Sequence, residues 1–178
     1  MNNAFAKIGF GGGCHWCTEA VFQSLKGVYN VSQGWIASEG ENYAFSEAVT
    51  LEFDPSIIPL EVLLEIHLHT HKSTSEHSMR AKYRSAVYVL SREQDDEVRA
   101  LVERLQIKFD NKLITQVLRF AEFKPSRAQI KNYFYKNPQK PFCETFINPK
   151  LQFLLKEYSG YVSEQLQDLK GEIEHTKQ

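Results

Sequence analysis

The residues with the most chemistry in this sequence form one run, Gly11-Gly12-Gly13-Cys14-His15-Trp16-Cys17-Thr18-Glu19. It falls between a predicted strand and a predicted helix, which puts Cys14 at a helix N-terminus. Free backbone N–H groups and the helix dipole there favour a thiolate over a thiol. The glycines let the chain turn sharply and let a substrate approach the backbone. Cys17 lies one helical turn further on, within disulfide reach of Cys14. The pattern fits an attacking thiol beside a resolving thiol. Three blander readings share the same residues. Two cysteines can be small core hydrophobes. A glycine run can cradle phosphate, although Cys14 stands where a dinucleotide fingerprint needs its third glycine. A C-x-x-C pair can be half of a zinc site completed by His67, His69, His71 and His77, with His67 and His71 on one helix face if the helix runs that far. Against zinc, the only other cysteine is the distant Cys143, and no H-E-x-x-H pattern occurs.

Glu47 is the second residue that invites chemistry. Ser46–Phe53 alternates so that Val49, Leu51 and Phe53 share a face, and Glu47 has their parity. A carboxyl on that face is expected to have a raised pKa and to donate a proton near neutral pH. At the start of a strand the same residue could equally be a half-solvated surface charge, and the residues alone leave both readings open.

The elements that position these groups can be read from periodicity. Strands are expected over Ala4–Phe10, Tyr29–Trp35, Ser46–Phe53, Ser85–Leu90 and Leu113–Leu118. Helices are expected over Thr18–Leu25, from Pro59 to about Leu68, over Glu93–Phe109, Pro125–Tyr135 and Leu151–Lys170, with the last eight residues frayed. Residues 69–82 lack apolar periodicity and read as a long loop, a length that in compact domains is often functional. Asn137–Pro149, with three prolines, reads as irregular and carries Cys143. Strands interleave with helices, which implies one mixed α/β domain spanning residues 1–178.

Composition narrows the function. Twenty-one Lys and Arg against 22 Asp and Glu give a net charge of −1, which lacks the basic signature of a nucleic-acid binder. Hydrophobic residues at 42 % and charged residues at 24 % suit a soluble globular domain. No segment approaches the roughly 18–20 apolar residues of a membrane span, and MNNAFAKIGFGGG has no signal-type apolar core. The expectation is a cytoplasmic monomer. A reducing compartment disfavours a permanent disulfide and permits a transient, working one.

The run GGGCHWCTEAVFQSLKGV resembles the peptide methionine sulfoxide reductases of the A type, whose signature at the nucleophile is Gly-Cys-Phe-Trp. The resemblance continues through FSEAVTLEFDPSII, LLEIHLHTH, KYRSAVY and KNPQKPFC, covering about residues 5–145 and leaving a C-terminal helix (149–170) outside it. It implies a two-layer α/β sandwich with a mixed sheet, covering helices and a ferredoxin-like core. It implies reduction of peptide or free L-methionine (S)-S-oxide through a cysteine sulfenic acid and an intramolecular disulfide, recycled by thioredoxin without a cofactor or metal. By position, Cys14 matches the nucleophile, and Gly13, His15 and Trp16 fall at the substrate wall, with Trp16 the aromatic that receives the methyl group. Glu47 matches the acid that protonates the sulfoxide oxygen, and Tyr83 a tyrosine that hydrogen-bonds it. Cys17 and Cys143 both fall at positions of resolving cysteines. Three departures stand out. His15 replaces a phenylalanine. Gly34–Ser46 is short and lacks the usual second tyrosine, leaving Tyr43 as a candidate by proximity. His71-Lys72-Ser73 replaces His-Asp-Pro, with His69 or His77 near enough in sequence to compensate. The competing classes are a general C-x-x-C thiol–disulfide oxidoreductase and a non-catalytic metal-binding protein.

Overall fold

Residues 5–175 are described in the computed structural model. The chain opens with β1 (Ala6–Gly11), α1 (His15–Gln23), β2 (Val28–Ala37), β3 (Ser46–Phe53), α2 (Leu60–His69) and β4 (Ala86–Val89). These form a βαββαβ unit with spatial order β4-β1-β3-β2, every pair antiparallel. That is the expected ferredoxin-like core. β5 (Gln116–Arg119) adds a parallel strand beyond β4, and β6 (Glu122–Pro125) an antiparallel one beyond β2, making a mixed six-stranded sheet.

The main core lies between one sheet face and the helices. Ile8, Phe10, Val49, Leu51, Phe53 and Val87 point into it. Against them pack Val21 and Phe22 of α1, Leu63 and Leu64 of α2, Val98 and Val102 of α3 (Arg92–Leu105), and Leu151 and Leu154 of α5 (Asn148–Glu157). Glu47 does share the helix-facing side of β3, as its parity requires. The opposite face holds a smaller cluster of Ile36, Ala48, Ala86 and Tyr88.

Several expectations are corrected. Ala4 and residues 176–178 lie outside the described residues. The helix after the glycines begins at His15, immediately after Cys14, not at Thr18. β6 escapes a periodicity reading, because Glu-Phe-Lys-Pro has one apolar residue in an edge position where proline is tolerated. Pro125–Tyr135 is not a helix: after β6 come a 3-10 turn at Ala128–Ile130 and α4, only Tyr133–Lys136. Glu19 explains that break. Its carboxylate accepts the backbone N–H groups of Asn132 (2.9 Å) and Tyr133 (3.0 Å), and Asn132 adopts a left-handed φ of 56°. Within 137–149, Cys143–Ile147 forms a π-helical turn that runs into α5. The expected long terminal helix is divided into α5, a 3-10 turn, α6 (Glu164–Asp168) and α7 (Lys170–Glu174), so the end is helical as far as residue 174.

Candidate active site

Cys14 is the N-cap residue of α1, with φ −56° and ψ 129°, and its carbonyl accepts the N–H groups of Cys17 (3.1 Å) and Thr18 (3.2 Å). The glycines before it serve different purposes. The His71 ring sits so close to Gly12 that a Cβ there would lie 2.4 Å from His71 Cδ2. Gly13 has open space where a Cβ would project, and it forms part of the cavity wall. His71 is fixed by the His67 carbonyl at 2.5 Å from Nδ1 and the Ser85 hydroxyl at 2.7 Å from Nε2. Burial holds both histidines in the neutral form, with His71 brought down to about 3. Their rings stack at 4.2 Å. Among the described residues, no group of three or more His, Cys, Asp or Glu is arranged to hold a metal ion.

Two thiols are paired at the helix start. The Cys17 thiol, placed to donate to the Cys14 sulfur, lowers the Cys14 pKa. The backbone N–H groups of Trp16 and Cys17 add to this, while burial and the nearby Glu47 oppose it. Cys17 moves the other way, because it donates that hydrogen bond and is buried. One sulfur is thus disposed to be a thiolate and the other to stay a thiol. Cys143 is fully buried under its π-helical turn, its Sγ 3.6 Å from the Asn137 carbonyl, and burial pushes its thiol up. It lies near enough to Cys17 to act on it electrostatically.

Glu47 is buried at 6 % exposure. Its Oε1 is 3.4 Å from the His15 backbone N–H and 3.4 Å from His15 Nε2, and its Oε2 is 3.8 Å from Lys82 Nζ. The Glu47 N–H donates to the Lys82 carbonyl at 3.0 Å, and Ser46 Oγ bridges that carbonyl (2.9 Å) and the Arg84 N–H (2.8 Å). These bonds clip segment 82–84 to the start of β3 and bring the Tyr83 backbone alongside Glu47. His15, expected on the substrate wall, is buried. Its buried ring contacts the Gly34 carbonyl at 2.9 Å and packs edge-on against Trp35, so it braces Glu47 behind the cavity.

Cys14 and Cys17 open into a cavity of about 610 Å³ shared with Gly13, Tyr83 and the 71–79 loop. Its apolar surfaces are Met79, Phe142 and Phe146. Neither Trp16 nor Glu47 is among its lining residues. The indole stacks on Tyr133 at 4.1 Å and 2°, with Phe142 at its edge, because Glu19 anchors Tyr133 over it. Tyr43 is 75 % exposed and does not line the cavity. Lys72 and His77 do line it, whereas His69 turns away to pack on Phe109 and Phe153. The loop expected over 69–82 is therefore a wall of the cavity. Arg80 fastens it by donating to the carbonyls of Lys72, Ser75 (2.8 Å), Tyr83 (2.8 Å) and Gly12 (3.0 Å). Sequence reading missed Arg80 and Lys150. The signal available for Arg80 was a lone arginine in an aperiodic loop, and for Lys150 only a lysine in the first turn of a helix.

A thiolate at a helix start with a thiol one turn away, beside a buried carboxyl and a tyrosine, defines a thiol-based reductase site. The family model of peptide methionine sulfoxide reductase matches residues 6–161. The peptide methionine sulfoxide reductase MsrA of Psychrobacter sp. (strain PRwf-1) is 35% identical over 169 residues, 86% of this chain and 96% of that protein. Mxr1 from Saccharomyces cerevisiae in reduced form has a TM-score of 0.67 at 22% identity, covering 78% of this chain and 89% of that one. Mxr1 in complex with Trx2 gives 0.55 at 22% identity, with 70% and 83% covered. The chain belongs to the peptide methionine sulfoxide reductase family, A type. The match runs to residue 161, beyond the expected limit of 145, and so takes in α5 and Lys150.

Proposed function

We propose that Cys14 reduces methionine (S)-sulfoxide by attack of its thiolate on the electrophilic sulfur. Glu47 supplies the proton to the departing oxygen, and Tyr83, clipped beside it, hydrogen-bonds that oxygen. The attack forms a bond between the Cys14 sulfur and the substrate sulfur; the protonated oxygen then passes to the Cys14 sulfur as that bond and the original S–O bond break, so methionine leaves and Cys14 is left as a sulfenic acid. Cys17 then condenses with that sulfenic acid, forming the Cys14–Cys17 disulfide and releasing water. A thioredoxin dithiol restores both thiols by exchange. The Mxr1 complex with Trx2 supports that partner. The observation that carries the reading is the pair of thiols, Cys14 at the N-cap of α1 and Cys17 one turn on, lining the same cavity, since the neighbouring thiol both lowers the Cys14 pKa and supplies a resolver.

Cys143 is assigned a relay: its thiolate attacks Cys17 of the Cys14–Cys17 disulfide, forming Cys17–Cys143 and freeing the Cys14 thiolate. It lies outside the cavity, fully buried, on the Cys17 side of the pair. We take the protein to work as a monomer in a reducing compartment such as the cytoplasm, where free thiols persist. Among the described residues no helix is long and apolar enough to cross a membrane. Single-turnover chemistry tests the assignment. Cys17→Ser is expected to form about one methionine per protein molecule and then stop with thioredoxin. Undiminished turnover would transfer the resolving role to Cys143. Insulin reduction without sulfoxide reduction would favour the general oxidoreductase.

A further inference from the structure

Cys17 has to change character between the two halves of the reaction. In the resting protein it is a thiol placed to donate to the Cys14 sulfur, and that contact, burial and the Cys14 charge all keep its proton on. Once Cys14 is a neutral sulfenic acid, Cys17 must attack it as a thiolate. Oxidation of Cys14 removes the neighbouring negative charge but leaves Cys17 buried, so a group that favours the ionised form is still required. Lys150 meets that need. α5 packs against α1 and buries Leu151 and Leu154 in the core, and Lys150 in its first turn lines the same cavity as Cys14 and Cys17. Its ammonium donates to the Thr70 carbonyl, which fixes the head of the side chain and leaves two donors over. Its charge couples to the Cys17 sulfur more than to Cys14 and favours the Cys17 thiolate. The other titratable groups that feel Cys17 are Cys14, Cys143 and Tyr133, none of them a cation. Lys72 is the second cation of the cavity and acts on Lys150. Burial keeps His71 neutral, His77 and Tyr83 complete the titratable lining, and Glu47, held by His15 and Lys82, acts on Cys14.

We propose that Lys150 is a positioning residue for the resolving step: its ammonium holds Cys17 as the thiolate that attacks the Cys14 sulfenic acid. The inference rests on the reductase reading of this cavity. In that step the Cys14–Cys17 S–S bond forms and the S–O bond of the sulfenic acid breaks. The Cys17 sulfur is oxidised, the sulfenic sulfur is reduced, and the departing hydroxide leaves as water with the proton that Cys17 gave up. Lys150 keeps its own protons throughout, so its contribution is electrostatic and another fixed cation should serve.

Two measurements test this. In Cys14→Ser/Cys143→Ala protein Cys17 is the only remaining thiol, and its titration is followed by NMR with carbon-13-labelled cysteine. Lys150→Gln, which can still donate to the Thr70 carbonyl, should raise the midpoint by about one pH unit, and Lys150→Arg should leave it close to the parent value. Lys150→Met repeats the neutral test should the glutamine variant fail to fold. The second measurement is resolution itself, in Cys143→Ala protein whose Cys14 is oxidised by one equivalent of methionine (S)-sulfoxide or of hydrogen peroxide. Dimedone-trapped sulfenic acid is followed with time across pH. Lys150→Gln should resolve about threefold more slowly at neutral pH, because a roughly tenfold smaller thiolate fraction is partly offset by the greater nucleophilicity of a more basic sulfur. A Cys17 midpoint unmoved by loss of the charge, or an arginine variant that resolves as slowly as the glutamine one, overturns the proposal. If methionine sulfoxide never oxidises Cys14 while peroxide-formed sulfenic acid resolves with the expected dependence on residue 150, the reductase reading fails and the role of Lys150 stands.

Discussion

Replacing Cys17 by alanine in a Cys143→Ala background isolates the contact on which the nucleophile depends. The Cys14 sulfur receives the Cys17 thiol and the N–H groups of Trp16 and Cys17. Alanine removes the first and leaves the two backbone donors in place. A hydrogen bond to a charged group contributes about 1.5–3 kcal/mol, and a thiol is a weak donor, so about 1.4 kcal/mol is the appropriate figure. That is roughly a factor of ten in the thiolate-to-thiol ratio at neutral pH. The assay is the pseudo-first-order rate of Cys14 alkylation by iodoacetamide, followed by mass spectrometry across pH. Cys17→Ala should alkylate about tenfold more slowly at neutral pH and nearly equally at high pH, where Cys14 is fully ionised. Cys17→Ser, whose hydroxyl can still donate, should keep most of the rate. If the alanine variant alkylates as fast as its parent at neutral pH, Cys17 is not the donor and the activation argument fails.

Glu47→Gln should slow sulfoxide reduction by roughly 10²–10⁴ with thermal unfolding little changed, as for loss of a general acid; full activity would remove Glu47 from the mechanism. Glu19→Ala should destabilise the protein by about 2–3 kcal/mol in urea, because the N–H groups of Asn132 and Tyr133 both lose a charged acceptor. It should also raise Trp16 fluorescence exposure by releasing Tyr133, and an unchanged urea midpoint would contradict the anchoring role. His71 titrates at about 3 in the fold, so between pH 6.5 and that value the unfolded chain takes up a proton that the folded protein refuses. Stability should therefore fall with pH below 6.5 by on the order of 1 kcal/mol per unit from this residue. His71→Asn should flatten that slope, and a slope left as steep would assign the acid sensitivity elsewhere.

What the sequence made legible follows local physics. Glycines, a C-x-x-C pair and a helix start are contiguous, so the thiol pair could be read directly. Strand parity placed Glu47 on the helix-facing side of β3, since a two-residue period leaves one choice of face. The break within Pro125–Tyr135 was not legible, because Glu19 reaching over a hundred residues to Asn132 sets where the backbone bends there. The same contact holds Tyr133 stacked on Trp16, a pairing no local pattern announces. His15 reads locally as a polar interruption of the substrate wall, yet its surroundings come from β2 and β3. Lys150 joined the site only through the docking of α5.

The central claim is that Cys14 is the nucleophile of a methionine (S)-sulfoxide reductase. The direct measurement is methionine formation from each resolved sulfoxide epimer with dithiothreitol, for the unmodified protein and for Cys14→Ser. The account predicts consumption of the S epimer alone and its abolition in Cys14→Ser. Reduction that persists without Cys14, or no reduction of either epimer by the unmodified protein, would contradict it.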